Sequence, residues 1–337
     1  MELQNQQRDH LMDNLKALML LLVIVGHTLD PYIVEENSFY RYLMQYIYLF
    51  HMPMFAFVTG YFSKNVDKAR ETAVRNVLFP YLFWQILYIL MAVVCISVGL
   101  ASFNTDVFEP SILLPTSPLY YLICVFFWKV FIKDISRLRW PLLFSIVAGL
   151  LVSIVKNEGF HIGIGATFSL MIFFVLGFLC TKETIQKIRK MPKWVGVGIL
   201  LLAIVPAVFL PYEFRNVRFT YHSVGLSNWV GMAYRLLFYA IAALMIVALI
   251  NVMSSKKRWF SHVGTNAIIV YAGSTFAAPS LYLLIGKFIP ALNGQTWINL
   301  LGIFVFAFAI VLFCAMPWIK RVYDWIMARI LRICFRE

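Results

Sequence analysis

The sequence predicts an all-helical polytopic membrane bundle of about ten transmembrane helices, with both termini in the cytoplasm. Three observations lead there. Of the 337 residues, 61% are hydrophobic and only 13% charged, at a mean hydropathy of +0.79, and a soluble domain of that size has more surface than so few polar groups can cover. Apolar runs recur along the whole chain, with short polar links between them. Basic residues gather in alternate links, the positive-inside pattern of a cytoplasmic face.

The first run, 17–34, follows Arg8, Asp9, Asp13 and Lys16 and offers no small-residue cleavage site. It therefore reads as a retained span and not a removable signal peptide. The second, 42–62, carries His51 within FHMPMF, and runs at 78–100, 118–133, 140–156, 163–180, 194–211, 227–252, 264–286 and 297–317 complete the ten. With the N-terminus inside, all but six of the 29 Lys and Arg fall on the cytoplasmic side; the six are Arg41, Lys156, Arg215, Arg218, Arg235 and Lys287. The net charge of +13 thus belongs to topology and gives no reason to invoke nucleic acid. The links Ser63–Val77, Thr181–Lys193 and Ser254–Val263 are short and basic, while Ala101–Ser117 and Tyr212–Leu226 are expected to shape the outer mouth.

Residues 318–337 carry Lys320, Arg321, Arg329, Arg332 and Arg336 among Trp, Ile and Leu. They are expected to lie along anionic lipid as a basic amphipathic helix. The whole of 1–337 reads as one integral membrane domain. Cys95, Cys124, Cys180, Cys314 and Cys334 sit in or beside apolar runs with neither paired nor metal-like spacing. They read as reduced packing residues, and no metal site is expected.

Polar residues inside the spans are where chemistry is sought. At about 100° per residue, Asp13, Lys16, His27 and Asp30 share one face of an otherwise apolar first helix. Lys16 stands at its cytoplasmic end and His27 roughly 16 Å deeper, near the middle of a hydrocarbon core about 30 Å thick. His51 reaches a similar depth from the opposite side. Each has a bland reading: a snorkelling charge for Lys16, a structural hydrogen bonder for either His, a turn cap before Pro31 for Asp30. The shared face and the second imidazole at the same depth favour chemistry, because imidazole accepts a hydroxyl proton near neutral pH and a carboxylate can fix its tautomer. Arg235 lies roughly 12 Å into the eighth span, where a guanidinium needs carbonyls, a carboxylate or an anionic ligand.

These residues also carry a resemblance. Lys16-x10-His27 within DNLKALMLLLVIVGH, and FHMPMFAFVTGYF at Phe50–Phe62, resemble the membrane acyltransferase-3 family. The likeness is to its stand-alone branch, related to fucose 4-O-acetylases and capsule O-acetyltransferases. Arg75 ahead of Pro80-Tyr81, SPLYYL at Ser117–Leu122, and Gly264 spaced to Tyr271 are further counterparts. The chain departs from the pattern at Lys16, where arginine is commoner, and at Ala272-Gly273, where relatives often have Leu-His. No esterase-like domain follows the tenth span, so the protein is expected to act alone or to hand its acyl group to a partner.

The resemblance implies transfer of an acetyl, or another short acyl group, from acetyl-CoA or a similar thioester to a sugar hydroxyl. The acceptor would be a cell-envelope or exported polysaccharide, or its lipid-linked precursor, at a bacterial plasma membrane and with partners from polysaccharide biosynthesis. The donor is a substrate, and no bound cofactor is expected. His27 would be the general base or a transient acyl carrier, with Asp30 or Asp13 to orient it. His51 would be a second base or a hydrogen-bond donor to the thioester carbonyl. Lys16 and Arg75 would hold the donor phosphates, in a basic cluster with Lys64, Lys68 and Arg70, and Arg235 and Asp13 are the candidate substrate contacts. A transporter or flippase, with the stripe lining its path, is the alternative from another class, though no internal repeat of the kind many transporters show is visible. An accessory subunit of a polysaccharide export system is the third.

Overall fold

The computed structural model describes residues 10–29, 38–97, 111–112, 114–116, 119–155, 163–211, 220–273 and 296–335. All regular structure in them is helical: α1 (His10–Leu29), α2 (Phe39–Tyr48), α3 (His51–Tyr61), α4 (Val66–Glu71), α5 (Phe79–Ser97), α6 (Tyr120–Ile135), α7 (Pro141–Leu151), α8 (Ile164–Leu179), α9 (Lys182–Lys190), α10 (Lys193–Leu202), α11 (Ile204–Phe209), α12 (Asn228–Val252), α13 (Ser261–Thr265), α14 (267–273), α15 (Trp297–Cys314) and α16 (Pro317–Cys334).

Each of the ten expected segments carries helix, but not every one is a single unbroken rod. Among the described residues, four helical segments are long and apolar enough to cross a membrane alone: α1, Val74–Val94, α12 and α15. A fifth arises if α8 and α9, bent by 92° at Cys180–Thr181, are one broken span. This is an integral membrane protein. Proline explains two of the breaks. Pro53 and Pro206 have no N–H to donate, and their rings clash with the carbonyl four residues back. The helices accordingly stop at Tyr48 and Leu202 and restart at His51 and Ile204.

α1 is the hub, with 72% of its most apolar stretch buried inside the bundle, against 28% for Val74–Val94 and 33% for α15, which turn Leu90, Val94, Ile298 and Leu301 outward. In lipid there is little hydrophobic drive between helices, so close packing at small residues holds them together. α3 and α8 meet in this way: a Cβ on Gly60 would strike the Phe174 carbonyl, and one on Gly177 would strike that of Phe57. Gly264 of α13 sits against the backbone of Asp13, and the Tyr48 ring lies against Gly26.

Polar caps fix the basic side. Lys64 donates to the carbonyls of Gly177, Phe178 and Cys180, the open end of α8, where the helix dipole favours a cation. Fully buried Asn14 donates to the carbonyls of Ser254 (2.8 Å) and Lys256 (3.0 Å) and accepts from Ser261 Oγ (2.6 Å). The basic link 254–261 is thereby pinned to the start of α1. α16 touches α5 through aromatic side chains, with Tyr323 stacked on Trp84 and Phe335 against Phe79.

Candidate functional site

A cavity of about 450 Å³ opens among α1, α3, α4, α6 and α14. Its polar end is lined by Lys16, Ser63, Asn65, Lys68, Thr72, Asn76 and Lys129, and its inner end by Phe55, Thr59, Tyr121 and Tyr271. No acidic side chain lines it among the described residues. Of the nearby carboxylates, Asp13 pairs with Lys16 at 2.9 Å and two others are engaged away from the cavity. Lys133 reaches Asp67 at 2.7 Å, and this hydrogen bond holds the Asp67 carboxyl below the usual carboxylate range; Arg70 pairs with Asp134 at 3.8 Å. Three lysines, one of them paired with Asp13, and no acid in the lining leave the cavity net positive, which suits an anion.

Two antiparallel helices set the register. Lys16 of α1 pairs with Asp13 at 2.9 Å and stands over the ring of Phe62, 5.5 Å from its centroid. Eleven residues on in α1 comes His27, and eleven residues back from Phe62 comes His51, the first residue of α3. Both intervals span about 16 Å of helix. The two histidines thus lie at one depth, and His51 is within electrostatic reach of His27. Tyr48 links the two segments, its ring 4.6 Å from that of His51 and packed on Gly26 beside His27.

His51 is buried, and its Nδ1 stands 2.9 Å from the Ile47 carbonyl. A carbonyl only accepts, so Nδ1 carries the hydrogen and the neutral ring keeps Nε2 as an acceptor, the tautomer a base requires. The helix break at Pro53 makes this possible, because a continuous helix would bond the Ile47 carbonyl to the His51 backbone N–H.

The other expected site residues lie apart. Asp30 lies outside the described residues. Arg75 is exposed, does not line the cavity, and stands over the ring of Phe335 at 4.5 Å, although its neighbour Asn76 is a lining residue. Buried Arg235 donates to Ser153 Oγ at 3.1 Å and is hydrogen-bonded to Tyr221, tying α12 to the end of α7. Lys64 caps α8 and Arg70 faces Asp134, so of the expected basic cluster Lys16 and Lys68 line the cavity. Lys129 and Tyr121 were missed as site residues. A lysine inside the expected span 118–133 is an intramembrane charge, the same signal that singled out Arg235.

A helical membrane bundle with a lysine-lined cavity, whose inner residue Phe55 is one helical turn from His51, suits a membrane enzyme acting on an anionic substrate. Residues 9–318 match the family profile described as "Acyltransferase domain", and the chain belongs to that family of acyltransferases, the acyltransferase-3 family. Among curated proteins it is similar to nodulation protein NolL of Mesorhizobium japonicum, 34% identical over 86 residues. A second relative, the nodulation protein NolL of Sinorhizobium fredii, is likewise 34% identical over 86 residues. Each match spans 23% of this chain and 23% of the relative's length. No solved structure matches the chain.

Proposed function

We propose that this protein transfers an acetyl or other short acyl group from an acyl-CoA thioester to a sugar hydroxyl. The acceptor is a cell-envelope or exported polysaccharide, or its lipid-linked precursor. The protein acts in the bacterial plasma membrane as a single ten-span domain with both termini cytoplasmic, and its C-terminal helix lies on the inner surface. The observation that carries this reading is the acid-free cavity with Lys16, Lys68 and Lys129, whose inner residue Phe55 is one helical turn short of His51.

The donor's phosphates rest on Lys16, Lys68 and Lys129, with Arg75 an outer contact at the rim. The imidazole of His27 takes the proton of the acceptor hydroxyl, whose oxygen attacks the thioester carbonyl as the carbon–sulfur bond breaks. The thiolate leaves and takes up a proton. His51, with Nδ1 committed to Ile47, relays protons through Nε2, and Asp30 and Asp13 orient the stripe. Arg235 is the acceptor-side contact in this scheme. The test is the acyl-ester content of surface glycans with and without the gene. Lost esters on normally exported polymer support the enzyme. Lost polymer would instead make the chain a transporter or an export subunit.

A further inference from the structure

We infer that Phe55, Tyr121 and Tyr271 form a collar that sets the length of acyl group the donor is allowed to carry, holding it near two carbons. The inference rests on the donor reading above. The three rings come from three helices, and their centroids form a nearly equilateral triangle: 5.8 Å from Phe55 to Tyr121, 5.9 Å from Tyr121 to Tyr271 and 6.1 Å from Phe55 to Tyr271. At such separations, in tilted and edge-on geometry, aromatic rings are in contact and form a stiff wall. All three line the cavity, so they form part of its wall and are not only core packing.

Position along the helices supports this placement. On α3 the cavity runs from Phe62 at the lysine end to Phe55, about 10 Å deeper, and His51 is about 6 Å beyond. On α6 it runs from Lys129 to Tyr121, about 12 Å. A donor anchored by its phosphates on the lysines therefore points its acyl end at the rings.

The rings are also held in place. Tyr121 Oη and Thr59 Oγ1 are 2.8 Å apart, which fixes the Tyr121 ring to α3. Tyr121 is further braced by the indole of Trp128, which itself donates to the Thr167 carbonyl at 2.9 Å. Gly264, tight on the backbone of Asp13, fixes the segment that carries Tyr271. The Gly264-to-Tyr271 spacing of the sequence thereby delivers a ring to the inner end of the cavity. A stiff wall rejects each extra methylene by about 10- to 200-fold, and a butyryl group brings two more than acetyl.

The experiment uses the full-length protein in lipid nanodiscs and measures binding of coenzyme A and of analogues of acetyl- and butyryl-CoA. In these analogues a methylene replaces the thioester sulfur, so no acceptor is needed and nothing reacts. The native protein is expected to hold the acetyl analogue at least about tenfold more tightly than the butyryl one. Phe55→Ala and Tyr271→Ala should bring that ratio close to one, with the butyryl analogue gaining affinity relative to coenzyme A. Phe55→Leu and Tyr271→Leu, which retain most of the packing volume, should lower it part-way and stand in if the alanine variants do not accumulate. A ratio unchanged in variants that still bind coenzyme A normally overturns the collar and leaves the donor reading intact, as does equal binding of both analogues by the native protein. A native protein that binds neither coenzyme A nor either analogue removes the donor reading, and the collar with it.

Discussion

Lys16 answers to two partners, the Asp13 carboxylate at 2.9 Å and the face of Phe62 at 5.5 Å. Lys16→Gln therefore has two separable effects. It takes away the ammonium beside buried Asp13, at a cost of about 1–3 kcal/mol of stability, and it weakens the grip on the donor by about tenfold or more. Adding Asp13→Asn should recover the melting temperature in detergent and leave the donor KM raised. Lys16→Arg should keep both, since guanidinium also binds carboxylate and phosphate. Full donor affinity in Lys16→Gln would reduce the residue to a topological charge. At the deeper pair, His27→Ala should cut acyl transfer by about 10²–10⁴-fold while the protein still inserts and accumulates. His51→Ala should lose activity only in part. Near-native transfer by a well-expressed His27→Ala protein would make the stripe structural. These residues were legible because an ionisable group in an apolar run has no cheap explanation. Lys129 meets the same criterion. The meeting of Phe55, Tyr121 and Tyr271 was not legible, because it joins segments some 65 and 150 residues apart and no local pattern records such a contact.

The helices were readable as apolar runs, their interruptions less so. Pro53 sits in the middle of a continuous hydrophobic stretch, and hydropathy is blind to the missing N–H that splits α2 from α3. The side-chain contacts of α16 with α5, and of Phe335 with Arg75, have no signal beyond an amphipathic pattern that equally suits a free surface helix. The α3–α8 contact yields the clearest prediction at this scale. Gly60→Ala and Gly177→Ala each place a methyl against the facing backbone, which cannot yield as a side chain would. Each should destabilise the bundle by about 1–3 kcal/mol, read as a fall in melting temperature and in membrane accumulation. A Cβ on Gly198 would meet nothing within 4 Å, so Gly198→Ala should be neutral or stabilise by up to about 1 kcal/mol. Equal losses at all three positions would show that helix composition, and not close approach, governs stability here.

For the molecule as a whole, charge distribution makes the sharpest statement. The proposed ten-span topology puts Lys68 on the inner side and Ser111, whose carbonyl accepts from Gln85 Nε2 at 2.8 Å, on the outer side. A membrane-impermeant thiol reagent applied to intact cells should label Ser111→Cys and spare Lys68→Cys; the reverse pattern would invert the bundle and move the lysine cavity to the outer face. Composition alone was enough for the membrane class, because 61% hydrophobic residues leave no other solvent for the chain. Which spans form the wall of the cavity depended on packing. α1 at the centre, with Asn14 gripping a link some 240 residues away, follows from buried amide bonds that hydropathy does not register.

The matched intervals Lys16–His27 and Phe62–His51 have a consequence for how such a chain can change over time. Substitutions between 17 and 26 alter side chains one at a time, and many apolar replacements there would leave His27 where it is. An insertion or deletion of a single residue does not have that freedom. It turns His27 by about 100° around the helix and shifts it about 1.5 Å along the axis, away from its partner on α3. A second single-residue change between 51 and 62 restores the axial match and still leaves both rings rotated off their common face. Length in these two stretches is therefore under tighter restraint than residue identity, and functional variants should accumulate point changes there while remaining free of gaps.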